Sequence, residues 1–382
     1  KKKGSDSRKE GRSIFNWVLD QRIRLFTIMT TSNEGNMRVL FERKLLNFWI
    51  AVLPFSWIHR WTSHKLSRPG NFEKIATLVM DGIKFGEGPR IHQNHLYLSA
   101  MHENCVYKID IETNKTVKRI DFKDKVSGLG WLPNGKMLVV VMTQRKILCY
   151  DESTEECEEY ADISKVTQYR ANDMVVDEVG NAYVGNFGFD ISSPFQSSCT
   201  TTLVRVDTNR QVHVESTGMF FPNGCVITPD GKTLLVNETM AGNITAFDRN
   251  VETGGLSNRR IWAAVGAPVD GCCLDAEGCI WAAVPQVGAF QTSGCVARVN
   301  PQGEIVETLG FDHNGLQGCA IACNLATLSN GQHVLYVLEA DTIDEHLIEA
   351  KYRLKNARVK VISVEVGPAR RPDNPHYNAG YC

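Results

Sequence analysis

The chain has 382 residues, enough to bury a large core and, for an all-β barrel or propeller, to do so as one domain. Its 42 lysines and arginines nearly cancel 43 aspartates and glutamates, which leaves a formal charge of −1. That balance supplies no field to gather a nucleic-acid backbone or a strongly charged partner, so a small, locally held ligand is expected and nucleic acid is not.

Residues 1–70 differ in character from the rest. They open with the basic stretch KKKGSDSRKEGR, pass through an amphipathic segment, and reach the apolar run LLNFWIAVLPFSWI from Leu45 to Ile58. A bilayer core asks for about 20 apolar residues, whereas this run is shorter, contains Pro54 and is flanked by Lys44 and His59. The expectation is an N-terminal helical extension on the main domain and a cytoplasmic location. The alternative is membrane association through residues 13–60, or a secretory route, with Leu45 to Ile58 as the apolar segment and Met37 with RVLFERK as its basic lead-in.

From residue 71 to residue 382 the chain reads as one nearly all-β domain, with short β-branched and aromatic runs between Gly, Asp, Asn and Pro turns. A turn followed by a short apolar strand recurs six times: NHLYLS at Leu96, NGKMLVV at Leu138, GNAYVG at Tyr183, DGKTLLV at Leu234, GCIWAA at Trp281 and GQHVLYV at Leu335. Successive anchors lie roughly 40 to 55 residues apart, the length of a four-stranded blade. Six repeats predict a six-bladed β-propeller, closed by pairing ATLVMD from Ala76 with VKVISVEV from Val359. Twelve cysteines fall mostly inside these apolar runs and read as buried thiols rather than as a disulfide framework.

Polar residues recur at fixed distances before the anchors. Glu87 lies nine positions ahead of Leu96, and Asn172, Asn223 and Asp270 lie eleven ahead of Tyr183, Leu234 and Trp281. On the innermost strands of a propeller, such positions converge on one axial channel. Two carboxylates and two amide oxygens match one hard divalent cation, calcium first, with zinc, magnesium or manganese as alternatives. Taken singly, Asn223 before Gly224 and Asp270 before Gly271 are ordinary turn dipeptides, and only the shared register argues for a site. Arg170, two residues before Asn172 and so on the same strand face, should look into the channel, where a guanidinium can orient a substrate oxygen. Ser127 is the matching residue in a further blade, and Gln317 or Cys319 in the remaining one.

The stretches GEGPR, SGLGWLPNGKMLVV, RANDMVVD, VGNFGFD, FPNGCVITPDGKTLLVNET, LSNRR and PVDGCCLDAEGCIWAA resemble the senescence marker protein, gluconolactonase and luciferin-regenerating-enzyme family, from about Asp81 to Val366. The resemblance implies a six-bladed propeller that binds one divalent metal through Glu87, Asn172, Asn223 and Asp270, with Arg170 toward substrate and lactonase activity. Asp270 is then the expected general base or water-orienting group, and a metal-activated water is the alternative nucleophile. Rival readings are an organophosphate or ester hydrolase at the same site, a non-catalytic metal-binding propeller, and the strictosidine-synthase-like branch, against which the RAND and FPNG phrases stand. Cys272 and Cys273 after Gly271 depart from the family pattern, where one cysteine is expected.

Overall fold

Six four-stranded antiparallel sheets account for the repeat in the computed structural model, which describes residues 75–190, 199–285, 294–310, 315–316, 318–343, 357–371 and 374–378. The described residues belong to one unit, Ala51–Cys382. Residues 1–74, and with them the expected helical extension and the Leu45 to Ile58 run, lie outside the described residues. Among the described residues no helix is long and apolar enough to cross a membrane.

Each sheet is a blade. The first strands are Gly86–His92, Val126–Trp131, Ala171–Val176, Pro222–Ile227, Cys272–Leu274 and Cys319–Thr327, for blades 1 to 6. The repeated phrase forms the second strand every time: His95–Ala100, Met137–Val141, Ala182–Asn186, Thr233–Glu238, Ile280–Val284 and His333–Ala340. The first strands touch one another in a ring, blade 1 to blade 2 and onward to blade 6, which returns to blade 1. They are therefore the innermost strands.

Closure occurs as the sequence predicts. Thr77–Ile83 becomes the outer strand of blade 6 and pairs antiparallel with Ala357–Val364, Thr77 opposite Val361 and Ile83 opposite Ala357. Segments far apart in sequence thus complete one sheet and close the ring. The inner strands of blades 1 to 4 are buried at almost every position, since neighbouring blades cover both faces, and their apolar residues form the interblade core. Nine of the described cysteines are buried in this packing, Cys157 and Cys199 are exposed, and all eleven are unbridged, as the reading of thiols as small hydrophobes requires.

Near the axis the backbones come too close for side chains. A Cβ on Gly128 would stand 2.4 Å from the Met174 backbone nitrogen of the next blade. Gly128→Ala should therefore destabilise the protein by about 1–3 kcal/mol, read as a lower urea midpoint, whereas Gly255→Ala, whose Cβ would meet nothing nearer than 3.4 Å, should change it little.

Candidate functional site

The channel donors are set by backbone hydrogen bonds at one end of the inner strands. The residue just past each second strand donates its N–H across to a carbonyl at the head of the inner strand: Met101 to Phe85 at 3.0 Å, Met142 to Lys125 at 2.9 Å, Phe187 to Arg170 at 3.1 Å and Thr239 to Phe221 at 3.0 Å. Two residues below those carbonyls stand Glu87, Ser127, Asn172 and Asn223. In blade 5 Asp270 is placed by its own bonds, its N–H to the Ala283 carbonyl at 2.9 Å and Ala283 N–H to the Gly271 carbonyl at 2.9 Å. Four blades thus share one depth by hydrogen-bond register, and blade 5 adds Asp270 beside it.

A bulge follows at this depth. The register slips by one residue after Ala171 in blade 3 and Pro222 in blade 4, and one residue later, after Glu87, in blade 1. Such an extra residue bends the strand and redirects its side chain, the usual use of a bulge beside a site. The offset of nine for Glu87 rather than eleven has a local cause: the turn of blade 1 is the two-residue Gln93–Asn94 pair, both left-handed (φ 47° and 61°), between the paired residues His92 and His95.

The donors are buried and incompletely satisfied. Asn223 donates its Nδ2 to Thr239 Oγ1 at 3.1 Å, and Ser127 Oγ donates to Asn172 Oδ1 at 3.3 Å. Asn223 Oδ1, Asp270 Oδ1 and Asn172 Nδ2 have no hydrogen-bond partner. Buried polar atoms left unpaired in this way are costly, and three of them at one channel depth call for a missing partner. Burial, then repulsion from Asp270 and Asp173, holds the Glu87 carboxyl well above the usual carboxylate range, against the Gly88 N–H and Arg90. Burial, then Asp173, pushes Asp270 up to about 8, partly offset by the Asn223 amide and the Gly271 N–H.

A cation would relieve the two unpaired oxygens, Asn223 Oδ1 and Asp270 Oδ1. The set is all oxygen, with two carboxylates and two amides, which fits a hard divalent ion such as calcium and lacks the nitrogen and sulfur donors common at zinc sites. Among the described residues no group of three or more His, Cys, Asp or Glu could hold a metal, so amides have to complete the shell of any ion bound here.

Two residues that motif reading passed over organise the site. Arg90 donates Nη2 to Asp173 Oδ1 and to the Met174 carbonyl at 2.7 Å each, Nη1 to the Pro89 carbonyl at 2.8 Å, and Nε to the Leu129 carbonyl at 3.2 Å. One guanidinium thereby ties blades 1, 2 and 3 together and neutralises the acid beside Asn172. Both residues lie inside phrases noted above, GEGPR and RAND, but their pairing across 83 positions leaves no local trace. Arg170 stands half-buried at the head of its strand, two residues from Asn172. Cys319 opens the inner strand of blade 6, where burial pushes its thiol up to about 11. Gln317 lies outside the described residues, as does part of the loop after Phe187, residues 191–198.

Removing Arg90 as Arg90→Met should cost about 3–5 kcal/mol by stranding a buried carboxylate, and adding Asp173→Asn should recover part of it in a denaturant melt. Because the Asp270 carboxyl is raised from 3.8 to about 8, the metal-free folded chain holds more protons than the unfolded chain between those values. Its stability therefore falls as pH rises through that window. Thermal melts of chelator-treated protein from about pH 5 to pH 8 should show this fall, and Asp270→Asn or added calcium should flatten it.

The family model described as the SMP-30/gluconolactonase/LRE-like region matches residues 85–329. Pentonolactonase XacC of Haloferax volcanii is 25% identical over 235 residues, 60% of this chain and 74% of that protein. A luciferin-regenerating enzyme structure superposes with a TM-score of 0.63 at 18% identity, covering 78% of this chain and 98% of the other. A calcium-binding protein, regucalcin, from Agrobacterium tumefaciens gives 0.62 at 17% identity, covering 78% and 97%. With its fold, its register of channel donors and this match in agreement, the chain belongs to the SMP-30/gluconolactonase/LRE-like family.

Proposed function

We propose that the protein is a metal-dependent lactonase that opens a sugar or other small lactone, with one divalent cation, calcium, held by Glu87, Asn172, Asn223 and Asp270. The observation that carries this reading is the pair of buried, unpartnered oxygens, Asp270 Oδ1 and Asn223 Oδ1, in a channel whose two carboxylates have no ion pair among the described residues. Membership of the family and the Haloferax relative named a pentonolactonase support the reaction class, and the Agrobacterium regucalcin, titled a calcium-binding protein, supports the ion.

A divalent ion bound at these oxygens supplies Lewis-acid polarisation of a carbonyl and lowers the pKa of a nearby water. The chain's own residues do the rest. The Asp270 carboxyl, held in place by the Asn223 amide and the Gly271 N–H, serves as the general base or water-orienting group while its unpartnered Oδ1 is left for the ion. Arg170, at the channel head, offers charge-assisted hydrogen bonds that orient the substrate's oxygens. Ser127 fixes the Asn172 amide, and Arg90 pairs with Asp173, whereas Glu87 and Asp270 have no ion pair among the described residues.

The test is lactone hydrolysis by chelator-stripped protein resupplied with calcium, zinc, magnesium or manganese. Turnover should return with calcium, and Asp270→Asn should lower kcat by about 10²–10⁴-fold while calorimetry still detects bound ion. Chelator-insensitive turnover, or full turnover in the metal-loaded variant, would overturn the proposal; cleavage of an aryl phosphotriester in place of every lactone would move the reading to an ester hydrolase.

A further inference from the structure

Among the described residues, ten that are not glycine have a positive φ, and eight of these are polar residues. The other two are Phe85 (φ 60°) and Phe221 (φ 57°). A bulky side chain in the left-handed region is a strained outlier that glycine or asparagine would relieve, and such strain persists where a site needs the side chain. These two phenylalanines occupy equivalent places. Each gives its carbonyl to the residue past its blade's second strand, and each stands two residues above a channel donor, Phe85 above Glu87 and Phe221 above Asn223. In a ring of six, blades 1 and 4 stand opposite each other.

More aromatic surface gathers around both. The Phe221 ring lies 4.4 Å from Phe187 and 5.8 Å from Phe189, centroid to centroid, and the Phe85 ring meets His102 edge-on at 6.1 Å. Phe187 is itself the residue whose N–H bonds the Arg170 carbonyl, so the cluster adjoins the backbone of the residue proposed to orient substrate. Phe85 and Phe221, 9% and 8% exposed, therefore stand in opposite blades one step above the donor level. A lactone clothed in hydroxyl groups finds few partners on such rings, whereas an apolar substituent gains by leaving water there.

We infer that Phe85 and Phe221, with Phe187 and Phe189, form an apolar rim that selects lactones bearing an alkyl or aryl substituent over polyhydroxylated sugar lactones. The inference rests on the lactonase reading for the ring that reaches the donors, and it names the substrate class of that same site.

The experiment uses the full chain with calcium and two readouts. Calorimetry compares an unsubstituted γ-lactam with its hexyl-substituted analogue, neither of which is hydrolysed, and steady-state kinetics compare γ-lactones with methyl to hexyl substituents against glucono-δ-lactone. The hexyl lactam should bind at least about tenfold tighter than the bare ring, and kcat/KM should climb with chain length. In Phe85→Asn and Phe221→Asn the affinity ratio should fall to about threefold or less, while the thermal midpoint falls because a buried ring is removed. A rim that serves only packing gives the lower midpoint with the ratio intact and overturns the inference, as does equal binding of the two lactams by the unaltered chain. Lactam discrimination without turnover of any lactone defeats the hydrolase reading alone, and turnover of the sugar lactone without discrimination defeats the rim alone.

Discussion

The structure depends on how closely six inner strands approach around one axis. Their backbones come within van der Waals reach, so a side chain at the wrong place cannot be accommodated, as at Gly128 against Met174 and Gly224 against Asp270. Radial packing at that distance needs an extra residue in the strand to relieve it, and the bulges after Glu87, Ala171 and Pro222 supply one. The same bulges aim polar side chains inward. Close approach and donor placement are thus two results of a single geometric demand.

Burying that much polar chemistry raises a second problem, which the chain solves unevenly. Arg90 and Asp173 cancel each other at 2.7 Å with nearly every remaining hydrogen-bond site occupied by backbone carbonyls, so their charge is spent on joining three blades. Glu87 and Asp270 receive no comparable partner, and both carboxyls are held above their ordinary range by burial. Buried carboxyls raised in this way are characteristic of candidate functional sites. The contrast is between an acid paired with a guanidinium and two acids without an ion pair among the described residues.

Much of the architecture was legible because the repeat is local. Each phrase around Leu96, Leu138, Tyr183, Leu234, Trp281 and Leu335 carries its own turn and apolar alternation, and all six became second strands. The offsets of Glu87, Asn172, Asn223 and Asp270 from those anchors were readable for the same reason, including the shorter one that the tight turn at Gln93 and Asn94 produces. The contacts of Phe221 with Phe187 and Phe189 were not readable, since they join different strands and blades and depend on a left-handed φ that the sequence does not announce.

What the residues determined by themselves was the number of blades, the pairing of the two closing strands, and the offsets of Glu87, Asn172, Asn223 and Asp270 from the anchors, all of which follow from periodicity along the chain. Only the folded molecule decided that Arg90 neutralises Asp173 and that Asp270 Oδ1 remains without a partner. It also decided that two strained phenylalanines stand at matching heights in opposite blades. The reason is physical: periodicity is a property of neighbours in sequence, whereas charge compensation, desolvation and strain arise between groups that become neighbours only when the ring closes.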